Sequence, residues 1–333
     1  MKSILSRVGT AVLSFRPESR VLGLGRTVLA LAQASVLAFT PAAYLFVPVG
    51  GDEFELNCSA PFSGSAYCLA DGSDRQLVTW FLLAALLVVA SGLLPRYTSI
   101  LHFWVSLSVH GTVTLPDGGE TAAQVCTLFL VLASSNDRRT WHWQRPGQAA
   151  ATSVFQGIAW AGHWGLRLQV AYIYLNSSIA KLPVESWGSG TAGYYVSRME
   201  SFGVSGLSAD LFLWLTAVPL VALIVSWGTI VTEAAIAVLL VRQSAAGRAV
   251  AFALSAALHL GIIMALGLVS FGLTMIGLVM CATAAPLSVH GRRLRSRLSE
   301  KVNRQDPVAE ERPVDDAMPS TDHGEPAHEL PRV

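Results

Sequence analysis

The sequence predicts an all-α, polytopic transmembrane helical bundle of about eight spans with both termini cytoplasmic, and three observations carry that reading. Of 333 residues, 52% are hydrophobic and only 14% are charged, which leaves too little polar surface to cover a soluble domain of this length. The apolar residues are gathered into long runs separated by polar punctuation. Arginines cluster at the ends of alternate runs, the bias that orients helices in a bilayer.

A helix needs about 20 mostly apolar residues to cross a hydrocarbon core of roughly 30 Å. The first run, over 23–46, follows Lys2, Arg7, Arg16, Arg20 and Arg26. It continues well past the Ala30-Leu31-Ala32 triplet that imitates a signal-peptidase site, so it reads as an uncleaved anchor. Further spans are expected at 77–94, 97–114, 120–134, 162–182, 221–241, 249–266 and 268–286. The segment 207–220 contains Pro219 and reads as a lateral helix. Over 249–286, Gly261, Gly267 and Gly272 favour two paired helices, since one unbroken helix would far exceed the bilayer.

The positive residues at the cytoplasmic ends are then Arg20 and Arg26, Arg96, Arg138 with Arg139 and Arg145, Arg242 with Arg248, and Arg292, Arg293, Arg295 and Arg297. The formal net charge of +1 hides an asymmetry, because nine of the 22 acidic residues fall in the last 35 positions. That Pro-rich acidic stretch lacks apolar periodicity and reads as a disordered cytoplasmic tail over 298–333. Residues 1–20 form an N-terminal segment in which Ile4 to Phe15 suit a short interfacial helix, and 21–297 form the transmembrane domain. The partner implied throughout is the lipid bilayer. No nucleic-acid motif is visible, and orientation accounts for the arginines.

The expected external segments are 48–76, the turn at Asp117-Gly118-Gly119, and 183–220. The first holds Cys58 and Cys68, with nine residues between them on the oxidising side, which either pair in a disulfide or remain free or intermolecular thiols. Neither belongs to a Cys-x-x-Cys redox motif.

The chemistry-bearing block runs from Gln169 to Trp187. Lys181 stands near the end of the fifth span, where a charge is costly unless something solvates or uses it. On a helix, Gln169, Tyr172 and Asn176 share a polar strip that is expected to face protein or a hydrated cavity. Lys181 reads either as a cation snorkelling to the outer interface above a packed network or as a general base or anion-binding cation. A carboxylate at Glu185 favours the protonated amine over the base. His110 and Glu120 fall near the same membrane side, and His110 is preferred over His102, about 12 Å away along the helix. His163 belongs to the opposite side, roughly 27 Å from Lys181. Glu233 and His259 occupy the interiors of later spans, and Glu233 is expected to pair with Arg26 or to hydrogen-bond across the bundle, with a proton relay or ligand site as the alternative. Trp187, Tyr194 and Tyr195 form an aromatic approach that suits either an interfacial belt or a substrate entrance. No metal-ligand, P-loop, dinucleotide or Ser-His-Asp pattern is present, so no metal is expected.

Four pieces carry a family resemblance: His110 through Asp117-Gly118-Gly119-Glu120, Gln169 through Ile179-Ala180-Lys181-Leu182, Trp187 with Gly190-Thr191-Ala192, and Gly228-Thr229 with Glu233. Over roughly 16–297 the chain resembles the bacterial sporulation-delaying protein B family, whose HTTM domain is shared with the membrane region of vitamin K-dependent gamma-carboxylases. The resemblance implies a part in maturing a secreted antimicrobial peptide, with a peptide precursor and a partner maturation protein. By the more distant carboxylase likeness it implies a lysine base at Lys181 and a quinone cofactor. Glu120 stands where the wider pattern more often has Asp, and the large extramembrane region of the carboxylases is absent from this sequence. The functional expectation is a membrane peptide-maturation component with an outer-leaflet pocket built from Lys181, His110, Glu120 and Glu185. A noncatalytic chaperone or assembly partner, and a small-molecule transporter using Glu233 and His259, are the alternatives.

Overall fold

The computed structural model describes residue 12 and residues 18–48, 55–70, 74–114, 116–145, 153–200, 203–204, 209–242 and 244–284. Apart from Val12, the expected interfacial helix lies outside these residues. So do the arginine cluster at 292–297 and the acidic tail.

Thirteen α-helices are described, besides a 3-10 turn at Phe62–Gly64: α1 Arg20–Phe39, α2 Ala42–Leu45, α3 Ala66–Leu69, α4 Arg75–Ser91, α5 Pro95–Thr112, α6 Gly118–Ser134, α7 Ser153–Lys181, α8 Glu185–Gly188, α9 Ala192–Val196, α10 Ala209–Ala217, α11 Pro219–Val241, α12 Ala245–Leu266 and α13 Val269–Ala284. No strand occurs among the described residues. Helices α1, α11 and α12 are long and apolar enough to cross a membrane, while α4, α6 and α13 are apolar but shorter. The remaining two expected spans coincide with the more polar α5 and α7. The first expected span breaks into α1 and α2 at Pro41, which cannot donate a helical hydrogen bond.

Local chemistry sets these boundaries. Ser19, Asp74, Asp117 and Ser244 accept backbone N–H groups at the starts of α1, α4, α6 and α12, meeting donors a helix leaves unpaired. Gly267, at φ 69°, ends α12 in the left-handed conformation, so the described part of the expected 249–286 stretch, up to Ala284, is two helices. Pro219 opens α11, where its missing N–H costs nothing.

Two apolar cores share α1. One joins Leu22 and Leu29 to α6, α7, α11, α12 and α13 through residues such as Leu130, Leu166, Ile236 and Leu278. The other joins Ala30 and Leu37 to α4, α5 and the 55–70 loop through Leu82, Val105 and Tyr67. Small residues bring α1 against α13: a Cβ on Gly25 would lie 2.7 Å from Cys281 Sγ, and one on Gly277 2.9 Å from the Leu29 nitrogen. Such close approach gains dispersion contact where lipid offers no hydrophobic drive.

Candidate functional site

The last turn of α7 carries the principal constellation. Lys181 Nζ donates to Glu233 Oε2 at 2.8 Å and Oε1 at 3.0 Å, and to Ser177 Oγ at 2.6 Å. Ser177 Oγ donates in turn to Glu233 Oε1 at 3.1 Å. Helical side chains lean towards the helix N-terminus, so the ammonium folds back one turn into the bundle and does not reach outward along the helix axis. The pair is largely but not wholly enclosed, with side chains 18% and 10% exposed. The Trp187 ring of α8 lies 5.2 Å from the nitrogen, within cation–π range.

Glu233 therefore pairs with Lys181 and not with Arg26. Position explains the difference: Arg26 faces α5, where its Nη2 donates to Thr98 Oγ1 at 3.2 Å. Helices α7 and α11 run side by side, as Ser178 Oγ bonding to the Ile230 carbonyl at 3.0 Å shows, and this brings Glu233 beneath Lys181.

The expected polar strip lies on the wrong face of α7. Tyr172 is 60% exposed and Asn176 is exposed, with Gln169 half-buried. The packed face is Leu166, Arg167, Val170, Ala171, Tyr174 and Ser178, a three- and four-residue spacing that leads directly to Lys181. Sequence reasoning missed Tyr174. Its hydroxyl lies 2.8 Å from Ser255 Oγ and 2.8 Å from His259 Nε2, so His259 is bound to α7 one turn from Ser177.

Glu120 belongs to a second buried chain. Gln33 Nε2 donates to Glu120 Oε2 at 2.9 Å, while Gln33 Oε1 meets His102 Nε2 at 2.9 Å and accepts from Ser106 Oγ at 3.0 Å. Asp117 Oδ1 caps the helix by accepting the Glu120 N–H at 2.8 Å. Gln33 had no signal beyond a single amide in an apolar helix, and His102 was set aside for His110. His110 lies in the last turn of α5 with its Nδ1 buried and unpartnered. Glu185 is exposed at the start of α8. Among the described residues no hydrogen bond or ion pair joins Lys181, His110, Glu120 and Glu185 to one another, so the four do not form one bonded pocket.

Tyr194 and Tyr195 are exposed on α9 and stack edge to face, 5.4 Å apart. Arg198 stacks over Tyr194 at 3.8 Å and donates to Thr216 Oγ1 at 3.0 Å and to the Leu213 carbonyl at 2.7 Å, tying α9 to α10. Cys58 and Cys68 form a disulfide with Cα atoms 5.7 Å apart. Among the described residues no three His, Cys, Asp or Glu side chains gather as a metal site.

No family model and no solved structure matches the chain. Among curated sequences it is 28% identical over 296 residues to the uncharacterized protein YitO of Bacillus subtilis (strain 168), covering 88% of this chain and 94% of that protein. It is also 24% identical over 275 residues to the sporulation-delaying protein SdpB of the same organism, covering 82% of this chain and 84% of that protein. The chain is similar to SdpB. A match of 275 residues takes in most of the helical bundle, so the likeness to SdpB is not confined to a single motif. It fits the SdpB-like family that the Gln169 to Trp187 block resembles.

Proposed function

We propose that this chain is a multi-pass protein of the cell membrane, with eight spans and both termini cytoplasmic, that takes part in maturing a secreted antimicrobial peptide. Its working centre is the Lys181–Glu233 pair in the outer half of the bundle. Similarity to SdpB supports the process, and the observation that supports the centre is the ion pair itself. A membrane interior penalises two charges even when they are paired, and this pair is left partly open beneath Trp187.

Glu233 Oε2, at 2.8 Å, is the acceptor within reach of a proton on Lys181 Nζ. Transfer of that proton leaves a neutral amine and a neutral acid, and the amine can then act as a base or nucleophile on a peptide group. Trp187, Tyr194 and Tyr195 form the aromatic rim that receives the peptide, with Glu185 on the same exposed flank. His110 and Glu120 serve a separate polar layer. A quinone acting at Lys181 would need apolar access to the ammonium. Glu233, Ser177 and Trp187 are the groups that hold the ammonium, and their contacts with it are polar or cation–π, so no step runs through a quinone.

Intact mass spectrometry of secreted peptides from cells carrying wild type, Lys181→Ala or Lys181→Arg at matched membrane abundance tests the reading. Loss of the mature mass in both variants supports an amine that reacts. Full maturation with Lys181→Arg, which preserves the charge but offers no deprotonated amine, reduces the pair to a structural tie. Full maturation with Lys181→Ala assigns the chain to noncatalytic assembly.

A further inference from the structure

The loop between α6 and α7 carries chemistry that the Lys181 centre does not use. Arg139 Nη2 lies 2.6 Å from Asp137 Oδ2 and its Nε 2.9 Å from Oδ1, while Nη1 donates to the carbonyls of His142 at 2.7 Å and Gln144 at 3.1 Å. This clamp presents the His142 ring to a niche between α1 and the α4–α5 junction, where it is fully buried. The His142 N–H donates to the Gly92 carbonyl at 2.9 Å, the Leu94 N–H to the Thr140 carbonyl at 2.7 Å, and Trp143 Nε1 to the Ser91 carbonyl at 3.0 Å. A Cβ at Gly23 or Gly92 would overlap the ring.

The protonation of the ring follows from its bonds. Thr27 Oγ1 gives its hydrogen to the Ala90 carbonyl at 2.8 Å, so towards His142 Nε2, 3.3 Å away, it can only accept. Nε2 therefore carries the hydrogen, and Nδ1 is a bare acceptor, buried and without a partner. A second proton on Nδ1 would create a buried donor with nothing to receive it. It would also add charge where Arg26 of α1 and Arg139 of the loop already act on the ring, opposed by Asp137 alone. Burial, reinforced by those two cations, lowers the pKa from 6.5 to about 4. The α4–α5 junction contributes only Gly92, Leu93 and Leu94 at this point and no titratable group.

What lies behind the ring gives the loop a purpose. Gly23, Arg26, Thr27 and Gln33 share α1, and the last bonds directly to both His102 and Glu120. Thr98, His102 and Ser106 repeat at four-residue spacing on the facing side of α5 and meet Arg26 and Gln33 in turn. A column of buried polar side chains thus runs through the bundle, and His142 sits at its end.

We propose that residues 136–145, which follow α6, are an acid-released plug: neutral His142 fastens them over the cytoplasmic end of the Arg26–Gln33 polar column, and protonation of His142 lets them go. The word cytoplasmic rests on the orientation proposed above. The device itself does not depend on peptide chemistry, so its test can fail without touching the Lys181 reading.

The test is hydrogen exchange read by mass spectrometry on the purified full chain in detergent, comparing wild type with His142→Gln at each pH. Glutamine can still donate to Thr27 but does not titrate. The expected result is that peptides spanning 136–145 lose protection about tenfold more in wild type than in the variant as pH falls from about 6.5 to about 4. Equal loss in both proteins overturns the proposal, as does retention in both. If His142→Gln is already unprotected at neutral pH, wild type decides alone. Exchange that rises over 136–145 before it rises in α7 supports the plug, and exchange that rises in both together overturns it.

Discussion

Lys181 and Glu233 are 52 residues apart, yet Nζ sits 2.8 Å from Oε2 and 3.0 Å from Oε1, tying the last residue of α7 to the middle of α11. Removing one partner strands the other charge among apolar helices, whereas removing both does not. Glu233→Gln or Lys181→Met alone should destabilise the bundle by up to roughly 3–5 kcal/mol, and the double replacement by Met should cost much less than the sum. Denaturant unfolding in detergent gives the cycle, and simple additivity would show that the pair is not coupled.

Gln33 is the hub of the second polar chain, since its one amide serves His102, Ser106 and Glu120. Gln33→Leu orphans several buried groups at about 1–3 kcal/mol each, while Ser106→Ala removes one ordinary bond worth about 1 kcal/mol. The ratio of the two losses in thermal unfolding is the measurement. Comparable effects would mean that the three partners find other bonds.

At Gly92 two demands coincide: φ is 81° and the His142 ring occupies the space of a Cβ. Gly92→Ala should therefore lower stability by more than the roughly 1 kcal/mol of backbone strain alone. Gly228→Ala, with nothing within 4 Å of the added carbon, should be neutral or slightly stabilising in its helix. The Tm difference between these variants checks the fit of His142.

The helical segments were legible because hydropathy is a local property: each apolar run read from the sequence falls on a helix or, over 23–46, on the pair α1 and α2, and Gly267 marks the break between α12 and α13. The partners were not legible, because nothing near Glu233 in the chain distinguishes Lys181 from Arg26. Phase was the harder error on α7. Gln169, Tyr172 and Asn176 are its more conspicuous polar residues, but they lie on the exposed face. The packed face hides its polarity in Tyr174, Ser177 and Ser178, whose hydroxyls sit easily in apolar surroundings once they are bonded. The spacing from Arg167 through Ala171, Tyr174 and Ser178 towards Lys181 held the correct phase.

Tyr67, on the 55–70 loop, gives a pH dependence whose sign is fixed by its bonds. Thr79 Oγ1 gives its hydrogen to the Arg75 carbonyl at 2.9 Å, so Tyr67 donates to Thr79 at 2.9 Å and a phenolate there would have no donor facing it. Burial raises the phenol pKa above its ordinary 10.0, and a bond that the phenol donates likewise favours the neutral form. Below that value both folded and unfolded chains hold the proton, and the full stability is present. Above it the unfolded chain releases the proton while the folded one retains it, so stability falls as pH rises. Tyr67→Phe should lose about 0.5–1.5 kcal/mol of hydrogen bonding at neutral pH. It should also shed the part of the alkaline decline that Tyr67 causes. Unfolding of both proteins in detergent from neutral pH to about 11 decides the matter, since parallel decline would place the titrating group elsewhere.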